Sequence, residues 1–421
     1  QRDASMTDSV SSKCADIDVH EQQPLELRKQ VESVMLRLRA AFAGILESVP
    51  TRNGRPHEVA ELLKLDKQLV WKISRLVKTR DPVMMARHLP GPTAIRRFLD
   101  AAQLHVAPGV IEAIHAPLED LNELIRVHAG DRATFEMLLS EWCSREPDAA
   151  VTHRREAFRG NSYIWGVQAR TKLTSMFLHP SSEDGVFDIA IVAGVVDLRR
   201  LRLNLPWVIA RWAVSDNDGE VRFNADREPL DPESNDPLLR RFCSKPLPQL
   251  RIVNGAPGML EYQLAPGAIG NSGAVTCVYG NIVRRVASCY RDEHNEFNEV
   301  MAAMSTPCEV LVLDQIVHES LFGRIKPDLL VYSGLNASEQ YPRGVTRVQL
   351  PVAEQVEYLG KGPAVLPTPH VPRYRELAEY VFERTGWDGS RFDVYRAEMR
   401  YPPIPSTVVM QHALRERPAG R

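Results

Sequence analysis

No stretch of this sequence stays apolar for the ~18–20 residues that a membrane-spanning helix requires. No membrane partner is therefore expected. The six cysteines, at 14, 143, 243, 277, 289 and 308, form no C-x-x-C pair and have no close histidine companions. That spacing excludes a zinc ribbon and a disulfide-dense secreted scaffold, and it suits free thiols in a reducing cytoplasm. The opening "QRDASMTDSVSSKCADIDVHEQQP" lacks the apolar core of a signal peptide, so residues 1–24 read as a disordered lead-in. Catalytic signatures are missing too. There is no G-x-S-x-G and no H-E-x-x-H. The Gly-rich "PGAIGNSGAV" (266–275) has neither the Lys-Ser/Thr of a P-loop nor G-x-G-x-x-G spacing. "SDNDG" lacks the terminal Glu of a calcium loop. These patterns call for no cofactor, no metal and no enzyme class.

Net charge is also scarce, at −2, but it is unevenly spread. Residues 51–100 hold eleven cations (Arg52, Arg55, Lys64, Lys67, Lys72, Arg75, Lys78, Arg80, Arg87, Arg96 and Arg97) against Glu58, Glu61, Asp66, Asp81 and Asp100. The local charge of +6 leaves −8 for the rest of the chain. A basic segment within an acidic protein points to a polyanion partner. With 44% apolar and 25% charged residues the composition is that of an ordinary globular protein, and 421 residues suggest about two or three domains.

What is present falls into two textures. In "LELRKQVESVMLRLRAAFAGILESV" (25–49), Val31, Met35, Leu38, Phe42, Ile45 and Leu46 recur at helical spacing, and Pro50, Asn53 and Gly54 end the pattern. Shorter helical stretches follow, through "DPVMMARHL", "TAIRRFLDAAQL", 108–128 and 131–145. Near 150 the chain turns to short Val-, Ile- and aromatic-rich runs such as "FDIAIVAGVV", "AVTCVYGNIVRRVA", "CEVLVLDQIVHE", "FDVYRAEMRY" and "STVVMQHAL". "VSDNDGEVRF" reads as a hairpin turning at Asp216–Gly219. Only two helices are expected here, over 291–304 and 372–386. Strands that follow strands predict antiparallel pairing. The expected fold class is α+β. An all-α helix-turn-helix domain covers 25–148, and a larger, mainly antiparallel α+β effector or oligomerisation domain covers 150–421.

Within the basic segment, "EVAELLKLDKQLVWKISRLVK" (58–78) has the rhythm of two short helices around a tight turn. A frame starting at Pro56 puts Val59, Leu63, Leu65, Val70 and Ile73 at the five positions that pack two steeply crossing helices together. It also puts Ala60 at their closest approach, where only a small side chain fits. Asp66 is placed to cap the second helix. At 100° per residue, Gln68, Trp71, Arg75 and Lys78 fall opposite Ile73, flanked by Lys67 and Lys72. Arg and Gln can bond bidentately to guanine and adenine edges, while Lys neutralises phosphate. On these residues the segment 56–78 resembles the helix-turn-helix DNA-binding transcriptional regulators. The resemblance implies a recognition helix at 67–78 in the major groove of double-stranded DNA. It also implies a homodimer or higher homo-oligomer that brings two such helices to successive grooves. The turn position usually held by Gly is Lys64, which must then adopt a positive φ.

Other clusters carry weaker chemistry. "LPGPTAIRRFLD" opens a helix whose free amides, with Arg96 and Arg97 one turn on, are candidate phosphate contacts. Asp314, His318 and Glu319 in "DQIVHES", and His294 in "RDEHNEFNE", could form a carboxylate–histidine site only if the fold gathers them. In an extended strand Asp314 and His318 share one face. The expected function is a cytoplasmic DNA-binding regulator with a ligand-sensing or assembly domain and an unidentified small-molecule effector. The alternatives are an enzyme with its site in the second domain and a self-assembling scaffold.

Overall fold

The computed structural model describes residues 8–51, 55–86, 88–142, 147–213, 227–231, 237–254, 259–293, 295–335 and 348–417. Helix and strand are both abundant, which makes the protein a mixed α+β chain. The chain separates into two compact units, Gln1–Glu146 and Pro147–Arg421.

The described elements of the first unit are all helices. They are α1 (Asp8–Ser48), α2 (Pro56–Leu63), α3 (Lys67–Lys78), α4 (Pro82–Ala86), α5 (Pro92–Ala102), α6 (Pro108–Glu112), α7 (His115–His128) and α8 (Arg132–Trp142). One face of α1 supplies the spine of their shared core, with Val31, Met35, Leu38, Phe42 and Ile45 buried at three- and four-residue spacing. Phe42 meets Phe98 of α5 at 6.0 Å between ring centroids. The helix reaches back to Asp8, into the stretch 1–24 read as a disordered lead-in.

The second unit opens with α9 (Pro147–Trp165), a helix the sequence reading did not anticipate. Then come β1 (Val167–Pro180), β2 (Val186–Arg200), β3 (Trp207–Ala213), β4 (Arg227–Pro229), β5 (Leu250–Asn254), β6 (Met259–Leu264) and β7 (Val275–Ser288). The chain continues through β8 (Phe297–Met304), β9 (Cys308–His318), the short α10 (Glu319–Phe322), β10 (Asp328–Ser333), β11 (Gln349–Leu350) and β12 (Glu357–Lys361). It closes with α11 (Tyr374–Thr385), β13 (Phe392–Arg400) and β14 (Ser406–Ala413). Among the described residues these strands form a seven-stranded sheet in the order β12-β13-β9-β1-β2-β7-β4, a four-stranded sheet β11-β10-β14-β8 and a three-stranded sheet β3-β6-β5. The β1–β9 pair is parallel, and the other named strand pairs are antiparallel.

The large sheet is covered on both faces, which explains why β9 reads as a continuous apolar run. Val310, Val312 and Ile316 pack with Leu377, Val381 and Phe382 of α11. The alternate residues Leu311, Leu313 and Val317 pack with Met304, Val408 and Met410 of the four-stranded sheet.

Two elements differ from the sequence reading. The helix expected over 291–304 is strand β8, because β14 pairs with it along its length and buries Val300, Ala302 and Met304. Pairing and burial outweigh the helix preference of Met and Ala. The central strand β1 was not recognised at all, since Lys172, Thr174 and Ser175 interrupt its apolar pattern and yet are buried. The turn expected at Asp216–Gly219 lies outside the described residues.

Two buried charges inside this sheet have different standing. Asp314 on β9 takes two parallel hydrogen bonds from Arg396 on β13, Nε and Nη2 each at 2.8 Å. Tyr374 of α11 donates its hydroxyl to the same carboxylate and lies 2.6 Å from the Ser175 hydroxyl of β1. Arg396 also donates to the Leu366 carbonyl at 2.8 Å. Lys172 is buried with its amine on the Ile209 carbonyl at 2.9 Å, and burial pushes its pKa down to about 8.

Arg396→Met leaves a buried carboxylate without its cation and is expected to cost about 3–5 kcal/mol, most of it recovered in Asp314→Leu/Arg396→Met; urea unfolding measures both. Lys172 behaves oppositely. Unfolded lysine holds its proton to about pH 10.4, the folded one only to about 8, so stability rises with pH between those values. Lys172→Met is expected to abolish that rise and to stabilise the protein at pH 7 by up to about 3 kcal/mol, read from the same unfolding curves across pH.

Candidate nucleic-acid interface

The α2–α3 hairpin is built by its turn. Leu63 ends α2, and Lys64 takes the left-handed conformation, φ 54° and ψ 41°. The Lys64 amide donates to Glu61 at 3.3 Å, and the Leu65 amide donates to the Ala60 carbonyl at 2.9 Å. These bonds satisfy the carbonyls that the ending helix would leave open. Asp66 then caps α3, its carboxylate accepting from the Gln68 amide at 2.6 Å. Three residues, Lys64, Leu65 and Asp66, thus join α2 to α3.

Burial along the hairpin follows the packing frame. Val59, Ala60, Leu63, Val70 and Ile73 are buried and Leu65 is half-buried. Leu76 joins Val70 and Ile73 on the inward face of α3, and all three are wholly inaccessible. They share one core with α1.

The opposite face of α3 is open to solvent. Lys67, Gln68, Trp71, Lys72, Arg75 and Lys78 are each exposed. Trp71 is 53% exposed, and Arg75 lies over its ring with the guanidinium carbon 4.9 Å from the centroid. That stacking pairs a flat cation with a flat aromatic surface one helical turn apart. Lys67 approaches Glu61 of α2 at 4.0 Å, a contact between two largely exposed side chains. The helix is twelve residues long, about 18 Å, enough to lie along a major groove.

Arg96 and Arg97 are exposed on the first turns of α5. That helix begins with Pro92 after Gly91 and has no side-chain cap. They stand on a different helix from the α3 face, as the sequence had them.

The carboxylate–histidine candidates in the second unit are held apart by their own partners. Asp314 is occupied by Arg396 and Tyr374. His318 caps α10, its Nδ1 on the Ser320 hydroxyl at 2.8 Å, and its ring meets His179 at 5.0 Å between centroids. Burial lowers the pKa of both histidines, disfavouring their charged forms. Glu319 leaves that face to pair with Lys361 at 2.5 Å and Arg391 at 2.9 Å, which hold its carboxyl down to about 2. His294 lies outside the described residues. Among those described, no three His, Cys, Asp or Glu side chains group so as to hold a metal. Burial pushes the Cys308 thiol up to about 12, far from a reactive thiolate. Sequence reasoning missed Arg396, Tyr374 and His179. Arg396 and Tyr374 stand 82 and 60 residues from Asp314, and no local spacing signals such a meeting.

Comparison of the chain with protein families, with curated proteins and with solved structures finds no match.

Two substitutions test the hairpin. Lys64→Gly removes the left-handed strain of a side chain at φ 54° and is expected to stabilise the first unit by up to about 1 kcal/mol. Ala60→Leu forces a larger side chain between α2 and α3 and is expected to cost about 1–3 kcal/mol. Thermal melting of the full chain, followed by circular dichroism, reads both.

Proposed function

We propose that the protein binds double-stranded DNA as a helix-turn-helix transcriptional regulator. In this reading α3 is the recognition helix, the first unit is the DNA-binding domain, and Gln68, Trp71, Arg75 and Lys78 are the reading face. Lys67 and Lys72 neutralise flanking phosphates, and Arg96 and Arg97 are candidate further phosphate contacts. The second unit senses a small-molecule effector, assembles the protein into a homodimer or higher homo-oligomer, or does both, in the cytoplasm.

One observation carries the reading. A twelve-residue helix presents four cations, a glutamine and a tryptophan on one exposed face, directly after a short turn in which Lys64 is left-handed. Lysines in solution need no such mount, and a half-exposed Trp gains from a surface that covers it. A duplex supplies phosphates for the lysines, base edges for Gln68 and Arg75, and sugar or thymine methyl surface for Trp71. The enzyme alternative asks for His318 or His294 to converge with Asp314 or another carboxylate; Asp314 and His318 are each engaged elsewhere, and His294 lies outside the described residues.

Fluorescence anisotropy with random-sequence duplex DNA at several salt concentrations tests this reading. Binding is expected to weaken steeply with salt, with each phosphate contact contributing about 0.9 to the slope of log K against log salt. Lys72→Ala/Arg75→Ala/Lys78→Ala is expected to lose most of that binding while melting as the wild type does. On a selected operator, Arg75→Ala alone should cost about 1–3 kcal/mol. No binding by the wild type at low salt, or equal binding by the folded triple variant, would remove α3 from consideration as a DNA-reading helix.

A further inference from the structure

The end of α9 and two loops of the second unit form an exposed apolar surface. Tyr163, Ile164 and Trp165 close the helix, Leu201 and Leu203 lie in the turn after β2, and Ile269 lies between β6 and β7. All six are large and exposed, Tyr163 at 78% and Leu203 at 70%. Neither described cavity is lined by any of them.

The surface is firmly built. Gly166, at φ 69°, turns the chain from α9 into β1, and its carbonyl accepts from the Leu201 amide at 2.8 Å. Arg202 donates from Nη2 to the Tyr163 carbonyl at 2.8 Å. Its stem crosses Gly166 so closely that a Cβ there would lie 2.8 Å from Arg202 Cδ. The Gly270 amide donates to the Arg200 carbonyl at 2.9 Å. The buried Arg200 guanidinium donates to the Leu205 carbonyl at 3.0 Å and to the Ala265 carbonyl. Two arginines therefore tie three segments together, and the large apolar side chains on them are exposed, with the Trp165 ring edge-on to Trp207 at 6.5 Å between centroids.

Charge on these segments has one sign. Residues 159–166, 199–206 and 265–274 contain Arg159, Arg199, Arg200 and Arg202 and no Asp or Glu; Arg159 and Arg202 are the exposed ones, and the exposed Glu156 stands one turn before Arg159 on α9. Arg159 lies one helical turn before Tyr163 and so shares its face.

We propose that this surface docks the second unit on an anionic lipid bilayer. Leu203, Leu201, Ile164 and Ile269 enter the acyl boundary, Tyr163 and Trp165 sit at headgroup level, and Arg159 and Arg202 meet lipid phosphates. Three arguments select this occupant. The four aliphatic residues require hydrocarbon, and Tyr and Trp are the aromatics that settle at a lipid–water boundary. The two exposed arginines, Arg159 and Arg202, are complementary to a bilayer carrying anionic lipid. Single-stranded nucleic acid would use the arginines and aromatics and leave the four aliphatic side chains uncovered. The lack of a long apolar run bears only on spanning a membrane, not on lying against one. This inference stands apart from the DNA-binding reading.

Co-sedimentation of the full chain with vesicles tests it, comparing pure phosphatidylcholine with roughly 30% phosphatidylserine in phosphatidylcholine. Binding is expected on the anionic vesicles, weak on the neutral ones, and diminished by salt. Leu203→Glu and Ile164→Glu should each weaken it on the order of tenfold, and Arg159→Glu about fivefold or more. Thermal melting checks that the variants fold, which their exposed positions favour. The proposal fails if anionic vesicles are not bound in preference, or if the folded variants bind them as the wild type does. It is also overturned if Leu203→Glu leaves vesicle binding intact but abolishes a concentration-dependent dimer or binding to a single-stranded oligonucleotide.

Discussion

At the middle of the seven-stranded sheet, a carboxylate that water cannot reach is gripped by one guanidinium and one phenol, and the second unit is arranged around that grip. Asp314 belongs to β9, Arg396 to β13 and Tyr374 to α11, while Ser175 extends the chain of hydrogen bonds into β1. A charge at this depth is tolerable only with its partners in place. The pairing ties β9 to β13 and, through Tyr374, to α11 on the face where Val310, Val312 and Ile316 pack. Aliphatic packing alone would allow that helix to slide, since Leu, Val and Phe contacts are not directional. The hydrogen bond from the Tyr374 hydroxyl to the Asp314 carboxylate is.

The same economy of partners accounts for the chemistry of the second unit. Asp314 and His318 share a strand face, as alternation requires, yet the fold commits one to an ion pair and the other to capping α10. Glu319 is drawn to Lys361 and Arg391 instead. Side chains that look catalytic in a string of letters become structural when neighbours distant in sequence claim their hydrogen bonds. In the first unit the opposite holds. The α3 cations face water, and apart from Lys67 near Glu61 and Arg75 over Trp71 they are turned outward, available to a partner of opposite charge.

Much of the hairpin was legible in the sequence because its rules are local. A left-handed residue between two helices, a capping aspartate and apolar residues at fixed offsets all act within about twenty positions, and Lys64, Asp66 and Ile73 behave as those rules require. The sheet was less legible. β8 looked helical because Met and Ala favour helices, and only the β14 partner, more than a hundred residues on, makes it a strand. β1 was hidden because its polar residues find buried partners on other elements: Lys172 on Ile209, Ser175 on Tyr374. The apolar patch around Leu203 escaped notice for a similar reason, since its segments are joined by contacts between residues far apart in sequence, Arg200 with Ala265 and Arg202 with Tyr163.

The sequence by itself determined the periodic helices of the first unit, the outward chemistry of α3 and the apolar character of strands such as β9 and β14, because each follows from spacing along a regular backbone. Tertiary structure alone decided which strand neighbours which, which buried charges are answered and which exposed side chains gather into one surface. Those outcomes depend on pairings between residues tens to hundreds of positions apart. Their free energy comes from burial and hydrogen bonding that exist only once the chain has closed on itself.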